Sequence, residues 1–305
     1  MLIDSNLKIG YNEDGDGMNG VFIIDKPKGI TSRDVVNKIS KVIGTKKVGH
    51  TGTLDPLATG VLVVCVGVAT KLVDELTSMD KEYIATVTLG IKTDTLDIEG
   101  KVEEDISSIK TKDEIVKCLN SFKGIYSQEV PKYSAIKVNG RKLYEYAREG
   151  IDIELPKRDV NIKEIELMND IIYDNNKTIF SFRCCVSKGT YIRSLIRDIA
   201  TSLNTCGIMT DLRRTRQGNF KIEDSISLDD VNVNNLIDIK DVLDIDKIEL
   251  TSDVEKKVLN GCPLNNIYGK DKILFILNGT PVGIYKLDYD SNLLKPYKML
   301  RGGNL

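Results

Sequence analysis

Between Gly49 and Val66 the chain passes from a loop broken by Gly49, Gly52, Pro56 and Gly60 into the uninterrupted apolar run Val61-Leu62-Val63-Val64-Cys65-Val66. Glycine and proline at this spacing force sharp backbone turns, and a short β-branched run bounded by them reads as a buried strand. Asp55 is therefore set on an irregular loop held by a rigid element, which is how active sites are commonly built. A plainer reading is available, because Asp before Pro often does no more than start a turn. A competing one fails: Gly44 to Thr51 has the outline of a phosphate-cradling loop, but His50 stands where a lysine must reach the β and γ phosphates.

The 305 residues can bury a substantial core and have room for two domains. No run of 18 apolar residues occurs, and Met1 to Gly20 is polar and acidic without a signal-peptide core, so a cytoplasmic protein is expected. Six cysteines are scattered without a C-x-x-C pair, which points to core packing, and a single histidine provides for no histidine-based metal site. No metal or cofactor is expected. The net charge of −2 is unfavourable for a nucleic-acid partner, but distribution matters more than the sum. Basic residues gather at Lys41, Lys46 and Lys47, at Arg141, Lys142 and Arg148, at Arg213, Arg214 and Arg216, and at Lys295, Lys298 and Arg301. Only their convergence in space would make a binding patch.

Gly20 to Lys26 reads as a strand, followed by a helix opened by the capping pair Thr31 and Asp34 and carried by Val35, Val36, Ile39, Val42 and Ile43. After the strand at 61 to 66 come a short helix near 70 to 77 and an alternating strand at 83 to 89. A second capping pair, Thr111 and Glu114, opens another helix; residues 123 to 138 look extended, and Asn139-Gly140 makes a tight turn. Strands at 158 to 167 and 178 to 187 lead to Thr190, a candidate cap for a helix whose apolar face is Ile192, Leu195, Ile196, Ile199 and Leu203, with Arg193 and Arg197 off that face. Strands and helices mix without a regular βαβ repeat, so the expected class is α+β with a mixed, mainly antiparallel sheet flanked by helices. Short extended runs after residue 270 fit a small C-terminal β-rich domain. The division expected is an N-terminal extension at 1–19, a catalytic domain at 20–240 and a terminal domain at 241–305, with a linker near 240 to 250.

The segment Gly49-His50-Thr51-Gly52-Thr53-Leu54-Asp55-Pro56-Leu57-Ala58-Thr59-Gly60 closely resembles the catalytic motif of the TruB family of tRNA pseudouridine synthases, fitting it at twelve consecutive positions. Further blocks follow in the family's order: Asp25-Lys26-Pro27-Lys28-Gly29; Lys81-Glu82-Tyr83 with Leu89-Gly90; Val130-Pro131-Lys132-Tyr133-Ser134-Ala135 onward to Ala147; Ser187-Lys188-Gly189-Thr190-Tyr191-Ile192-Arg193; and Leu212-Arg213-Arg214-Thr215. Residues 126 to 150 are similar to the family's RNA-gripping insertion, and Leu293 to Leu300 resemble, more loosely, its PUA-type RNA-binding domain. Thr53 departs from the small residue usual at that position, without touching the chemistry.

The resemblance implies the pseudouridine synthase fold and isomerisation of the uridine at position 55 in the TΨC arm of tRNA, by base flipping and aspartate-dependent cleavage and rejoining of the glycosidic bond. It implies a stand-alone, cofactor-free enzyme: tRNA bound through its T-arm by a monomer, with no guide RNA and no membrane. By motif position Asp55 matches the nucleophile, Tyr83 the tyrosine that stacks on the flipped base, and Arg193 the arginine that pairs with the aspartate and whose planar fork can hold both carboxylate oxygens. His50 matches the residue that fills the space vacated in the T-loop, Lys26 a lysine that supports the site, Tyr191 a pocket-lining tyrosine able to exchange a proton, and Leu212 an apolar wall. A carboxylate serves as nucleophile without a partner base, which suits a chain with one histidine. Two other classes compete: a module whose main role is binding RNA, and a subunit guided by a separate RNA. The intact Asp55, Tyr83 and Arg193 set speaks against the first, the complete insertion against the second.

Overall fold

The computed structural model describes residues 18–168 and 170–300. The expected N-terminal extension, apart from its last two residues, and Arg301 lie outside them. In chain order the main part comprises β1 (Gly20–Lys26), α1 (Ser32–Ile43), β2 (Val48–His50), β3 (Thr59–Val66), a short 3-10 turn, α2 (Val73–Ser78), β4 (Lys81–Leu89), the hairpin β5 (Ile91–Thr93) and β6 (Val102–Asp105), and α3 (Lys112–Ser121). There follow β7 (Gly124–Glu129), the small hairpin β8 (Lys137–Val138) and β9 (Arg141–Lys142), α4 (Leu143–Arg148), β10 (Lys157–Leu167), β11 (Ile172–Asp174), β12 (Lys177–Val186), α5 (Ile192–Ser202), β13 (Gly207–Gln217), β14 (Phe220–Lys221) and β15 (Ile226–Ser227). The C-terminal part adds α6 (Ile239–Val242), β16 (Asp246–Glu249), α7 (Ser252–Leu259), β17 (Leu264–Asn265), β18 (Lys272–Leu277), β19 (Thr280–Asp288) and β20 (Leu293–Met299).

The principal sheet runs β15-β1-β3-β13-β4-β12-β10-β7, with β2 also on β3. Its pairs are antiparallel except β1 with β15 and β13 with β3, so the α+β class with a mixed, mainly antiparallel sheet holds. The second sheet, β16-β18-β19-β20-β17, is formed by the C-terminal segment.

Both capping pairs form. Thr31 and Thr111 each accept from the backbone N–H three residues on, and Asp34 and Glu114 bond back to the cap, leaving few orphan donors at the starts of α1 and α3. Thr190 does not cap α5: its hydroxyl bonds Ser187 O, and Tyr191 occupies the cap position. Val42 is half exposed rather than part of the buried stripe of α1. The stretch expected to be extended, 123 to 138, is strand at Gly124–Glu129 and again only at Lys137–Val138; Pro131, lacking an N–H, helps end the first pairing.

Alternate residues of β1 and β3 enter two different cores. Phe22, Ile24, Leu62, Val64 and Val66 pack beneath α1, α3 and α5. Val21, Ile23, Val61, Val63 and Cys65 pack with Val242, Leu243, Leu274, Ile276, Ile284 and Leu300 on the other face. Covering on both faces is what makes β3 an unbroken apolar run. Residues 240 to 250, read as a linker, carry α6 and β16. Four cysteines are buried as expected, whereas Cys206 is half-buried and Cys262 exposed. Among the described residues no helix is long and apolar enough to cross a membrane.

Candidate active site

The loop from Thr51 to Ala58 joins β2 to β3 and is held from both ends. Thr51 N–H donates to Val63 O at 3.0 Å, and Gln217 Nε2 reaches Thr51 O (3.2 Å), Thr51 Oγ1 (2.6 Å) and Leu76 O (3.0 Å). The fully buried Arg214 donates to Val61 O (2.5 Å) and Gly52 O (3.2 Å). Farther along, Ser32 Oγ donates to Leu54 O (3.0 Å) and accepts from Leu54 N–H (2.8 Å), while Gly29 N–H donates to Pro56 O (2.8 Å). Gly60 is required where the loop enters β3: its φ is +100°, and a Cβ there would stand 2.1 Å from Arg214 O. Leu54, Leu57 and Ala58 anchor the loop in the core, leaving Asp55 partly exposed between them.

Arg193, one residue into the first turn of α5, is buried with its guanidinium against Asp55: Nη2 lies 3.0 Å from Asp55 Oδ2. The remaining donors go to Thr95 O (2.9 Å) and Tyr133 O (3.1 Å), and Asp97 Oδ2 lies 3.7 Å from Nη1. The fork therefore meets one carboxylate oxygen rather than both, because its other N–H groups are engaged by the 95–97 turn and the insertion. This division ties three segments together at Asp55.

An open cleft of about 480 Å³ lies over this pair. Asp55, Tyr83, Tyr191, Arg193 and Leu212 line it, joined by Tyr133, Tyr144, Lys81 and Arg214. Tyr83 is nearly buried on β4, paired in the ladders with Cys184 of β12 and Arg214 of β13. The Tyr191 backbone is held by the buried Gln128, whose Oε1 accepts from Tyr191 N–H (2.8 Å) and whose Nε2 donates to Tyr191 O (3.2 Å). Arg158 lies over the Tyr191 ring, 5.7 Å from its centroid. Burial raises the Tyr191 phenol above its ordinary value, so it stays protonated at neutral pH and can donate.

Two of the residues named from sequence do not line the cleft. Lys26 is fully buried beneath it, donating to Pro27 O (2.8 Å), Ile30 O (2.7 Å) and Pro56 O (3.5 Å); burial lowers its ammonium to about 8, against the pull of Asp55. His50 is half-buried at the end of β2 and accepts at Nδ1 from Gly52 N–H (3.3 Å). Burial, then the charges of Arg33 and Arg214, lower its pKa and keep the ring neutral at pH 7.

The basic run at 213 to 216 does not form a surface patch. Arg214 is internal, and Arg213 pairs with Asp25 through both oxygens, at 3.1 and 2.8 Å. Lys142 and Arg148 of the insertion instead flank Tyr144, each 5.3 Å from its ring centroid. Sequence reasoning did not assign Lys81, Gln128 or Asp97. Lys81 carried a signal, since it lies two residues from Tyr83 on one strand and must share its face; Gln128 and Asp97 act only through the chain fold. Among the described residues no three His, Cys, Asp or Glu side chains are grouped as metal ligands.

A carboxylate on a clamped loop, paired with a buried arginine and set in an aromatic cleft of a mixed sheet, has the form of an enzyme active site. Residues 40–192 match the TruB family pseudouridylate synthase N-terminal domain, and residues 193–245 match the tRNA pseudouridylate synthase B C-terminal domain. The chain is 47% identical over 81% of its length to tRNA pseudouridine synthase B of Caldicellulosiruptor saccharolyticus, covering 84% of that protein. With the Clostridium tetani protein of the same name it shares 46% identity, covering 84% of this chain and 89% of the relative. A solved Cbf5-Nop10-Gar1 complex contains a chain of the same fold, with a TM-score of 0.67 and 25% identity over 92% of this chain and 85% of that one. The chain belongs to the TruB family of pseudouridine synthases and is an isomerase.

Proposed function

We propose that this enzyme converts uridine 55 in the T-arm of tRNA to pseudouridine, with Asp55 as the nucleophile. The observation that carries this reading is the Asp55–Arg193 ion pair at 3.0 Å, placed at the base of a cleft walled by Tyr83, Tyr133, Tyr144 and Tyr191. Its relatives bear the name tRNA pseudouridine synthase B, which supports tRNA as the substrate.

A uridine must leave its stack to reach Asp55, at a cost of a few kcal/mol. Stacking on an aromatic side chain contributes about 1 to 3 kcal/mol per base, and Tyr83 is assigned that role. Leu212 closes the apolar side of the base pocket, and Tyr191 offers its phenolic proton to the base or ribose. Arg193 offsets the cost of a carboxylate enclosed by RNA and fixes its direction. His50, outside the cleft and neutral, is assigned to the space that the flipped base vacates; Lys26 holds the loop from below. The insertion at 126–150 presents Tyr144 with Lys142 and Arg148 to the RNA, and the C-terminal residues 241–305 act as a PUA-like RNA-binding unit behind a catalytic domain at 20–240. The enzyme works as a monomer, without guide RNA, metal or cofactor.

Mapping pseudouridine across an unmodified tRNA transcript after incubation with the purified protein and a chelator tests the assignment. A single modified position in the T-arm is expected. Modification elsewhere, or dependence on an added guide RNA, would overturn it.

A further inference from the structure

Among the described residues, two cations at the bottom of the cleft have no counter-ion. Lys81 and Tyr83 occupy alternate positions of β4 and so project to one face, and both line the cleft. Lys81 is 7% exposed, and its Nζ donates to Thr77 O (2.5 Å) and Met79 O (2.6 Å) at the end of α2, which leaves one N–H unused. Arg214, opposite Tyr83 on β13, is 1% exposed and spends its bonds on the carbonyls of Val61 and Gly52. Neither forms an ion pair among the described residues.

The nearby acids are already engaged. Asp80 pairs with Lys163, Glu82 with Arg183 and Arg216, and Asp55 with Arg193. The charged groups acting on Lys81 are Arg214 from β13, Asp80 ahead of β4 and Lys188 from the loop before α5, so the balance around it is positive. Buried, uncompensated cations are costly and persist where an anion arrives to meet them.

We propose that Lys81, backed by Arg214, is the electrostatic partner of the uracil ring while that ring is detached from the ribose. The inference rests on the function proposed above. When the bond from C1′ to N1 breaks with its electron pair on the ring, negative charge spreads over N1 and the carbonyl oxygens. Rejoining through C5 displaces the Asp55 carboxylate that holds C1′ in the interval, the C5 hydrogen leaves as a proton and N1 gains one, so nothing is oxidised or reduced. A fixed ammonium beside the ring stabilises the charge only after cleavage begins, and such an interaction raises kcat rather than affinity. Arg214 acts as a positioning residue, holding the loop at Gly52 while adding its charge.

Burial, with Arg214 adding to it, lowers the Lys81 ammonium to about 8. The protonated form is therefore the main one below pH 8 and is lost as pH rises through that value. Single-turnover rates and tRNA dissociation constants, measured from pH 6.5 to 9 on an unmodified transcript, test the assignment. Lys81→Met is expected to slow the step by roughly tenfold or more with Kd changed by less than about threefold. Lys81→Arg keeps the charge and is expected to recover much of the rate at pH 7 and to lose the wild-type decline above pH 8. A phosphate contact would give the contrary result, with weaker binding, a smaller salt dependence and an unaltered saturated rate, and would overturn the proposal. So would alkaline limbs identical in wild type and Lys81→Arg, a comparison that stands even where Lys81→Met fails to fold. An inactive wild type brings down the proposed function with it; an active wild type matched by Lys81→Met brings down this inference alone.

Discussion

Arg193 illustrates how much one side chain can organise. Its buried guanidinium meets Asp55, Thr95 O and Tyr133 O within 3.1 Å, drawing together the Asp55 loop, the turn after β5 and the insertion. Lysine carries the charge but not the fork. Arg193→Lys is accordingly expected to lose hydrogen bonds worth about 1.5 to 3 kcal/mol each, lowering kcat roughly tenfold to a hundredfold in steady-state assays. Wild-type-like turnover in that variant would show that the fork is not what orients Asp55. Much at this scale was legible from motif position: Asp55, Tyr83, Tyr191, Arg193 and Leu212 do meet in one cleft. What was not legible were residues that reach the site through tertiary contacts. Arg214 looked like one member of a basic surface run, yet it is internal, because only the pairing of β13 with β3 and β4 shows which of its residues face inward.

At the scale of elements, the site is made where strands and loops fasten one another. The ladder between β13 and β4 shifts register between Arg214 and Arg216, and this irregularity lets Arg214 and Gln217 both turn toward the Asp55 loop. Gln128 does the corresponding work for α5, bonding both backbone groups of Tyr191 two residues before Arg193. Removing its amide strands those buried groups, at a cost of about 1 to 3 kcal/mol. Gln128→Ala should therefore lower thermal stability and kcat together, and a calorimetric scan beside a turnover assay checks it; unchanged stability would contradict the clamp. Capping pairs made the starts of α1 and α3 readable, since a cap is local chemistry. The start of α5 was placed one residue early for the opposite reason: its cap backbone is satisfied by Gln128, more than sixty residues away.

Across the molecule, the principal sheet serves two cores at once. The apolar run at 61 to 66 was readable as a buried strand, but not what covers its second face, which is the C-terminal sheet together with α6. That sheet also grips α2 and the 3-10 turn before it: Glu75 of α2 bonds Lys272 and, at 3.1 Å, the Tyr297 hydroxyl, while Lys71 of the turn donates to Met299 O at 2.7 Å. Because the end of α2 holds Lys81, the terminal segment supports the floor of the cleft. All of this converges on one carboxylate. Single-turnover conversion of the T-arm uridine, comparing wild type with Asp55→Asn at matched tRNA occupancy and with chelator present, tests it most directly. Pseudouridine from wild type and none from Asp55→Asn, with tRNA still bound by both, is the predicted result; product formed by Asp55→Asn at a wild-type rate would contradict the assignment of Asp55 as nucleophile.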